Sequence, residues 1–336
     1  MKRQASEIEP QSSQLTAWAG LLANRKLAGH LRIARLDHWV KNVFVLPGIV
    51  VARTVDPVAV DSAPLIQLVF GMIAVGLVAS SNYVLNELLD APYDRLHPLR
   101  CDRPVVKGEV DIRWAWVQWA VLFVLGLWLG WQVSDRLALT LGALWVMGCV
   151  YNVPPVRAKD IVFVDVLTEA VNNPLRFLAG WYMTGSVALP ITSLLVSYWM
   201  AGCYFMAIKR FAECRDLPSH EARVAYRRCY RFYTEQNLLI SILFYGSLAM
   251  LFFGSYMGRY RLELALSFPF VAAVMAVYFA LAFRPNSAAQ RPEALVREPV
   301  LMISVAVCAV VIGFLISFDL PQLHEWFPPT TSFVSK

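Results

Sequence analysis

The chain contains little charge. Of its 336 residues only 16% are charged, whereas 58% are hydrophobic and the mean hydropathy is +0.51. Soluble domains usually carry about 25% charged residues. Because a solvated surface cannot be built from so few charges at this length, the composition excludes an ordinary soluble domain and favours a membrane protein.

Cysteine and histidine patterns for metal binding are also missing. The six cysteines show no CxxC spacing, and the five histidines form no HExxH or similar pattern, which argues against a zinc site. We interpret the cysteines as free thiols. Cys101, Cys214 and Cys229 fall in segments that the topology below places in a reducing cytoplasm.

A signal-peptide pattern is absent from the N-terminus, since no apolar stretch precedes a small-residue cleavage site. We therefore expect residues 1–28 to form a flexible cytoplasmic segment. Residues 29–320 are predicted to form the transmembrane domain, and residues 321–336 an extracytoplasmic tail.

Long apolar runs dominate the rest of the chain. A helix that crosses a membrane needs about 20 mostly apolar residues. We identify nine such runs, which predicts an all-α, polytopic membrane helical bundle. The nine predicted spans are 39–55, 64–90, 114–132, 137–152, 161–184, 189–208, 237–256, 264–283 and 299–318.

Lys and Arg residues orient this bundle, because cytoplasmic loops are enriched in them. With the N-terminus inside, 24 of the 30 lie in segments placed inside, 5 in segments placed outside, and Arg176 within a span. The net charge of +6 is thus a topology signal, and we predict no nucleic-acid partner. The long charged loops 91–113 and 209–236 lie inside, so we expect a plasma-membrane protein whose site faces the cytoplasm.

The second predicted span ends in an acidic motif. Asn86, Asp90 and Asp94 are spaced i, i+4, i+8, so on a helix they stack along one face, about 6 Å apart. Such oxygen ligands suit Mg²⁺, which takes one or two carboxylates together with water and substrate phosphate. Pro92 should kink or end the helix, which would put Asp94 in the first loop turn. Alternatively, the aspartates only mark a solvated helix end.

The fifth predicted span is unusual because it carries ionisable residues. Asp165, Glu169, Asn172 and Arg176 fall on one stripe of one helix. Such residues are unfavourable inside a membrane and usually face a cavity, although an internal ion pair or a polar packing seam would also explain them. Two acidic sets near the inner face could bracket one site, because Mg²⁺ and a diphosphate would relieve their repulsion.

Basic residues lie close to both sets in the sequence and could bind phosphate through charge-assisted hydrogen bonds. The candidates are Lys41, Arg103, Arg157, Lys159, Lys209 and Arg210. Other arginines of the inner loop 209–236 are interpreted as positive-inside anchors. These are Arg223, Arg227, Arg228 and Arg231.

Two motifs resemble the aspartate-rich motifs of the UbiA superfamily of intramembrane prenyltransferases. The first is Asn86-x₃-Asp90-x₃-Asp94, followed by Arg103-Pro104 and Gly108. The second is Tyr151-Asn152-x-Pro154-Pro155-x₃-Lys159-x₅-Asp165-x₃-Glu169, which ends in Leu175-Arg176-x₂-Ala179-Gly180. The resemblance covers residues 30–320. Two departures are Glu87, where many relatives carry Asp, and Glu169, which closes the second motif in place of Asp.

Three shorter stretches are similar to the decaprenyl-phosphate phosphoribosyltransferase branch of that superfamily. They are His38-Trp39-Val40-Lys41-Asn42, Asp94-Arg95-x-His97-Pro98 and Lys209-Arg210-Phe211-Ala212-Glu213. Members of the branch transfer a phosphoribosyl group from phosphoribosyl pyrophosphate to a polyprenyl phosphate and release diphosphate. The resemblance therefore implies these two substrates, the lipid bilayer as surroundings, and Mg²⁺ as cofactor.

The resemblance also implies roles for individual residues. The catalytic acids would be Asp90, Asp94, Asp165 and Glu169. Asn86 would join Asp90 and Asp94 in holding Mg²⁺ and the donor diphosphate. The remaining substrate-binding candidates are Lys41, Arg103, Lys159, Arg176, Lys209 and Arg210.

Two other functions remain open from the sequence. One is transfer of a prenyl group from a prenyl diphosphate to an aromatic acceptor such as 4-hydroxybenzoate, which uses the same Mg²⁺–diphosphate chemistry. The other is an ion-coupled transporter. Transporter sites usually lie near the bilayer midplane at broken helices, whereas both acidic sets are predicted at helix ends beside basic inner loops.

Overall fold

The computed structural model describes residues 25–95, 100–217, 219–290 and 292–327, and within these ranges every regular element is a helix. The all-α prediction is thus confirmed for the described chain. Residues 1–24 of the predicted flexible segment and residues 328–336 of the predicted tail lie outside the described residues. So do His97 and Pro98 of the second branch-like stretch.

Fourteen α-helices follow one another along these ranges. They are α1 (25–33), α2 (Leu46–Val55), α3 (Pro57–Ser62), α4 (Leu65–Asp94), α5 (Ile112–Val133), α6 (Asp135–Asn152), α7 (Val164–Ala170), α8 (Asn172–Met183), α9 (Thr192–Asp216), α10 (His220–Tyr226), α11 (Glu235–Tyr260), α12 (Phe268–Leu281), α13 (Pro299–Ser317) and α14 (Pro321–Trp326). Short 3₁₀ helices connect them at Leu36–Val45, Ala158–Asp160, Arg228–Arg231, Leu262–Ser267, Ala288–Gln290 and Pro292–Arg297.

Polar caps fix where several long helices begin. The Asp111 side chain accepts hydrogen bonds from the amides of Arg113 and Trp114 in the first turn of α5, and Ser134 accepts one from Leu137 at the start of α6. Thr234 and Asn237 form a reciprocal capping box at the start of α11. These side chains satisfy amides that have no partner inside the helix, so each apolar run starts at a defined residue.

Five helices are long and apolar enough to cross a membrane. They are Leu65–Asp94, Ile112–Val133, Glu235–Tyr260, Leu262–Leu281 and Pro299–Ser317. All nine predicted spans coincide with helical segments, but the first is divided between a 3₁₀ helix and α2. Length and composition thus support a polytopic membrane protein with at least five spans, and the count of nine stays a prediction.

The sequence indicated one helix for the fifth predicted span, but the structure has two. It is divided at Val171 into α7 and α8. Pro174 has no amide hydrogen to donate to the carbonyl of Ala170, and its ring crowds that position, which explains the break. Asp165 and Glu169 therefore belong to a different helix from Asn172 and Arg176.

Pro92 also acts differently from the prediction. It lies inside α4, which continues to Asp94, so Asp94 occupies the last helical turn instead of a loop. The proline removes one hydrogen bond, but the helix is already near its end and has few bonds left to lose. Asn86, Asp90 and Asp94 therefore do share one helix.

Two of the buried apolar clusters pack the helices that carry the site. One packs α4, α6 and α8 together through residues such as Val78, Leu141 and Ala179. The other packs α7, α9 and α11. α8 closely approaches the end of the 3₁₀ helix Leu36–Val45 at Gly180, where a Cβ would lie 2.0 Å from the carbonyl oxygen of Val45. Glycine is required there, and this contact holds α8 in place beside the cavity described next.

Candidate active site

A cavity of about 1190 Å³ lies between α4, α6, α9 and the junction of α7 and α8. Asn86 and Asp90 line it from α4, whereas Glu169 and Asn172 line it from α7 and α8. The structure therefore brings the two acidic sets to one space. This meeting is what an active site shared by both motifs requires.

Asp90 is neutralised by basic side chains that precede α7. Lys159 donates a short hydrogen bond to its Oδ1, and the Arg157 guanidinium lies 3.0 Å from the same oxygen. Lys159 also lies 3.2 Å from the amide oxygen of Asn86. Burial lowers the pKa of Lys159 to about 8, although the Asp90 charge acts in the opposite direction. Lys159 does not line the cavity but lies directly behind the first acidic set.

Asp94 is placed less openly than Asp90. It is only 3% exposed, does not line the cavity, and pairs closely with Arg103, with Arg100 at 3.8 Å. Both arginines do line the cavity. Asp94 thus holds Arg100 and the phosphate-binding candidate Arg103 at the cavity wall. Its predicted role as a metal ligand is untested.

The second acidic set surrounds Arg210. The guanidinium lies 2.7 Å from Asp165, 3.1 Å from Glu169 and 3.0 Å from Glu213, and its side chain is 0% exposed. Charged pairs this deeply buried persist only when every partner is satisfied. The cation that relieves the repulsion between these acids is therefore a protein side chain, where the sequence had suggested a metal.

Four tyrosines complete the network around Arg210. Tyr151 donates to Glu169 at 2.6 Å and Tyr233 donates to Asp165 at 2.5 Å. The other two, Tyr226 and Tyr230, donate to the two oxygens of Glu213. Burial disfavours the charged form of Glu213, but Arg210 holds the pKa of this carboxyl well below its usual range. Glu213 is therefore ionised, and each acid of the network accepts a tyrosine hydrogen bond.

The predicted residues of the second set differ in their access to the cavity. Asp165 is 0% exposed and lies behind Arg210, so it has no direct path to a substrate. Glu169 keeps a side-chain exposure of 30% and faces the cavity. Of the predicted phosphate ligands, Lys41 and Lys209 line the cavity. Arg210 does not, because it is the centre of the network.

Sequence reasoning missed Arg227. It was interpreted as a positive-inside anchor, but it lines the cavity, donates to Tyr151 at 2.8 Å and lies 4.0 Å from Asp165. This interpretation was wrong. Glu213 was noticed only as part of a branch-like stretch, whereas it anchors Arg210 from α9. Its spacing of three residues from Arg210 on one helix was an available signal.

The cavity residues fit a divalent cation. Its walls carry as many Asp and Glu residues as Lys and Arg residues, seven of each. An anionic diphosphate would therefore gain little net attraction from the protein alone, and Mg²⁺ would supply the missing positive charge. Asn86 and Asp90 offer the hard oxygen ligands that this ion prefers. Within the described residues no cluster of three His, Cys, Asp or Glu forms a closed protein cage. Mg²⁺ does not need one when substrate phosphates complete its shell.

The fold is that of a polytopic membrane protein. Its cavity carries equal numbers of acidic and basic side chains, a combination that suits a metal-bound phosphate group. The model of the UbiA prenyltransferase family matches residues 43–296. The chain therefore belongs to the UbiA prenyltransferase family, as the two aspartate-rich motifs indicated.

Individual relatives agree with this assignment. The uncharacterised protein y4nM of Sinorhizobium fredii is 24% identical over 156 residues, which cover 46% of this chain and 29% of that protein. The decaprenyl-phosphate phosphoribosyltransferase of Mycolicibacterium smegmatis is 25% identical over 215 residues, covering 63% and 64%. The chain thus spans less than two thirds of the length of these relatives. The resemblance to the phosphoribosyltransferase branch is nevertheless confirmed.

A solved structure confirms the fold. The UbiA homologue from Archaeoglobus fulgidus bound to DMAPP and Mg²⁺ superimposes with a TM-score of 0.66 at 21% identity. The superposition covers 86% of this chain and 99% of that one. The overall helical arrangement is therefore that of a known architecture.

Proposed function

We propose that this chain catalyses Mg²⁺-dependent transfer of the 5-phosphoribosyl group from phosphoribosyl pyrophosphate to a polyprenyl phosphate, with release of diphosphate. The observation that carries the proposal is the meeting of Asn86 and Asp90 with Glu169 in one cavity that is also lined by basic side chains. Similarity to the Mycolicibacterium smegmatis phosphoribosyltransferase supports this choice of donor and acceptor.

The donor would bind at the end of α4. Asn86 and Asp90 would hold Mg²⁺ there, and when bound this ion would act as a Lewis acid that stabilises the departing diphosphate. Lys41, Arg103 and Lys209 line the same cavity and would contact phosphate oxygens by charge-assisted hydrogen bonds. Lys159 lies behind Asp90 and would fix the orientation of that carboxylate.

The proposed reaction breaks the C1–O bond of the donor, and its electron pair leaves with the diphosphate. An oxygen of the acceptor phosphate dianion forms the new bond to C1, so no proton has to move. Positive charge develops on the ribose ring during this exchange. Glu169 is the acid of the second set that faces the cavity, and it would stabilise that charge more than the ground state.

Asp165 would act as a positioning residue. It is buried behind Arg210, and Arg210 in turn contacts Glu169 at 3.1 Å. Holding Glu169 in one orientation would preorganise its charge before the donor bond breaks. This role differs from the direct contact with substrate that the sequence motif implied for Asp165.

Purified protein in detergent provides the test. We expect diphosphate release only when phosphoribosyl pyrophosphate, a polyprenyl phosphate and Mg²⁺ are all present, and loss of release on chelation of Mg²⁺. Asp90→Asn is the control for background hydrolysis. Absence of release, together with turnover of a prenyl diphosphate and 4-hydroxybenzoate, would replace the proposal with the second candidate.

That second candidate is prenyl transfer from a prenyl diphosphate to an aromatic acceptor. It is favoured by likeness to the Archaeoglobus fulgidus homologue, which holds DMAPP and Mg²⁺. The same carboxylates would then stabilise an allylic cation in place of the ribosyl cation. Ion-coupled transport is less favoured, because Asp165 is fully buried in an ion-pair network and does not face a water path.

We further propose nine spans in the plasma membrane, with the N-terminus and the cavity on the cytoplasmic side. The distribution of Lys and Arg residues supports this orientation. In a background without other cysteines, an impermeant maleimide should label exposed Cys101 in inverted vesicles only. Cysteine at exposed Val187 should be labelled only in right-side-out vesicles. The reverse pattern would invert the topology.

A further inference from the structure

Arg176 is a buried cation without an acidic partner. It is 8% exposed, its Nε has no hydrogen-bond partner, and among the described residues no carboxylate forms an ion pair with it. Arg210 is also buried, but it contacts three acids. An uncompensated guanidinium inside a membrane protein is strongly unfavourable. Within the described residues, Arg176 is therefore a cation that an anionic ligand could pair with.

The surroundings of Arg176 connect it to the cavity. Its positive charge acts on the hydroxyl groups of Tyr83 and Tyr198, and Tyr83 lines the cavity. Asn172 lies one turn earlier on α8, also lines the cavity, and has a buried side-chain oxygen without a hydrogen-bond partner. Two unsatisfied polar side chains thus occupy one face of α8, next to the space that holds the substrates.

This location differs from the donor position. Asn86 and Asp90 lie at the end of α4, whereas Arg176 follows Glu169 by seven residues, beyond the break at Val171. Lys159 and Arg157 contact Asp90, and neither contacts Arg176. The cavity therefore offers a position rich in acids for a metal–diphosphate, whereas Arg176 supplies a cation without an acidic partner for a simple anion at a second position, beside the cavity-lining Tyr83 and Asn172.

An apolar flank adjoins this second position. Tyr198, which interacts with Arg176, donates through its hydroxyl to the carbonyl of Phe44 at 3.2 Å. The 3₁₀ helix that contains Phe44 also exposes Val40 and Val43. Side chains of this kind face lipid in a membrane protein. An amphiphile could therefore place its head near Arg176 while its hydrocarbon chain remains in contact with the bilayer.

We propose that Arg176 binds the anionic head of the acceptor, a phosphate monoester on an isoprenoid chain, and that the Tyr83 hydroxyl, which can donate a hydrogen bond to it, completes this acceptor subsite. The inference rests on the proposed function and deepens it, because it assigns Arg176 to the acceptor and leaves the donor to Asn86 and Asp90. It also predicts that the head and the chain of the acceptor are recognised by different surfaces.

Direct binding tests this assignment without turnover. The probes are farnesyl phosphate, farnesol, inorganic phosphate and phosphoribosyl pyrophosphate with Mg²⁺, each titrated into detergent-solubilised full-length protein. Arg176→Gln should weaken farnesyl phosphate binding at least about tenfold, because a charge-assisted contact is lost. Binding of farnesol and of phosphoribosyl pyrophosphate should stay unchanged. Arg176→Lys should lose less, since it keeps the charge but not the forked geometry.

Arg231→Gln is the matched control, because Arg231 is exposed and its closest aromatic contact is its neighbour Phe232. In steady-state turnover, Arg176→Lys should raise the acceptor KM and leave the donor KM unchanged. Arg176→Lys also replaces Arg176→Gln as the test variant should the latter fail to fold.

Three outcomes would overturn the acceptor assignment. They are unchanged farnesyl phosphate affinity in folded Arg176→Gln, an equal loss of phosphoribosyl pyrophosphate affinity, and equally tight binding of inorganic phosphate, which would indicate a free-phosphate site. Failure of the proposed function looks different. The wild type would then give no phosphoribosyl transfer, although Arg176→Gln would still lose farnesyl phosphate selectively.

Discussion

The end of α4 and the start of α7 each carry two acids four residues apart, but their partners differ. Asp90 faces the cavity and is neutralised by Lys159 and Arg157, which approach from a short connecting segment. Asp165 is fully buried, and the guanidinium that neutralises it is held by two further acids and a shell of tyrosines. The same spacing thus produces an open acidic site in one place and a closed one in the other.

Partner chemistry explains this difference. Lysine is a compact charge on a flexible stem, and it can move away when a metal or a phosphate approaches. Arginine offers a rigid fork of donors, which suits Arg210 at the centre of three carboxylates. We infer that the first set binds ligands, whereas the second set holds Glu169 in position.

The largest expected effect comes from removing the guanidinium of Arg210, which neutralises the second acidic set. Arg210→Met would leave Asp165, Glu169 and Glu213 without their shared cation, so the free energy of unfolding should fall by about 3–5 kcal/mol. Thermal denaturation in detergent measures this loss. Lys159→Met is the matched variant and should cost much less, because Asp90 keeps Arg157 at 3.0 Å. Equal destabilisation by both variants would remove the distinction between the two sets.

Changing the open set should affect activity and spare the fold. Asp90→Asn removes the charge that would hold the metal, so diphosphate release should fall by at least about a hundredfold. The melting temperature should remain near that of the wild type. Retained turnover in this variant would contradict the metal role of Asp90.

The pH dependence of donor binding should sharpen the role of Lys159. Its pKa is about 8 because burial disfavours the charge, so the ammonium group is lost as the pH rises through that value. The donor KM should then increase, by roughly tenfold, because Lys159 no longer fixes the Asp90 carboxylate that would hold the metal. Lys159→Arg stays charged and should give a flat profile. A profile shared by both proteins would assign the titration to another group.

The folded state should become more stable as the pH rises, whereas donor binding becomes weaker. The folded pKa of Lys159 lies below its ordinary value of about 10.4, so between these values the unfolded chain binds the extra proton. The free energy of unfolding therefore rises with pH in that interval. Denaturation of wild type and Lys159→Arg, compared across the window, measures this contribution.

The smallest effect is expected at the edge of the second set. Arg231 is exposed, so Arg231→Ala should change activity by no more than about twofold. Its neighbour Arg227 lines the cavity and contacts Tyr151, so Arg227→Ala should cause a clearly larger loss. Measuring both in the same assay checks the comparison. A large loss in Arg231→Ala would show that the inner loop 209–236 contributes more to activity than the structure indicates.

Several features could be predicted because they depend on local physical chemistry. Apolar runs of about 20 residues indicated helices, and a spacing of four residues placed Asn86, Asp90 and Asp94 on one helix face. The predicted helix ends were wrong where the effect of a proline depends on its position in the helix. Pro92 lies so near the end of α4 that the helix tolerates it, whereas Pro174 lies where it divides the predicted fifth span.

The sequence by itself therefore determined the family, the helical class and the acids that could bind a metal. Only the tertiary structure decided which cation meets which acid. Arg227 reaches Tyr151 from 76 residues away, Arg210 reaches Asp165 from 45 residues away, and Arg176 meets no acid among the described residues. Spacing along one helix fixes the face a side chain occupies. The electrostatic partner on that face depends on how other helices pack against it.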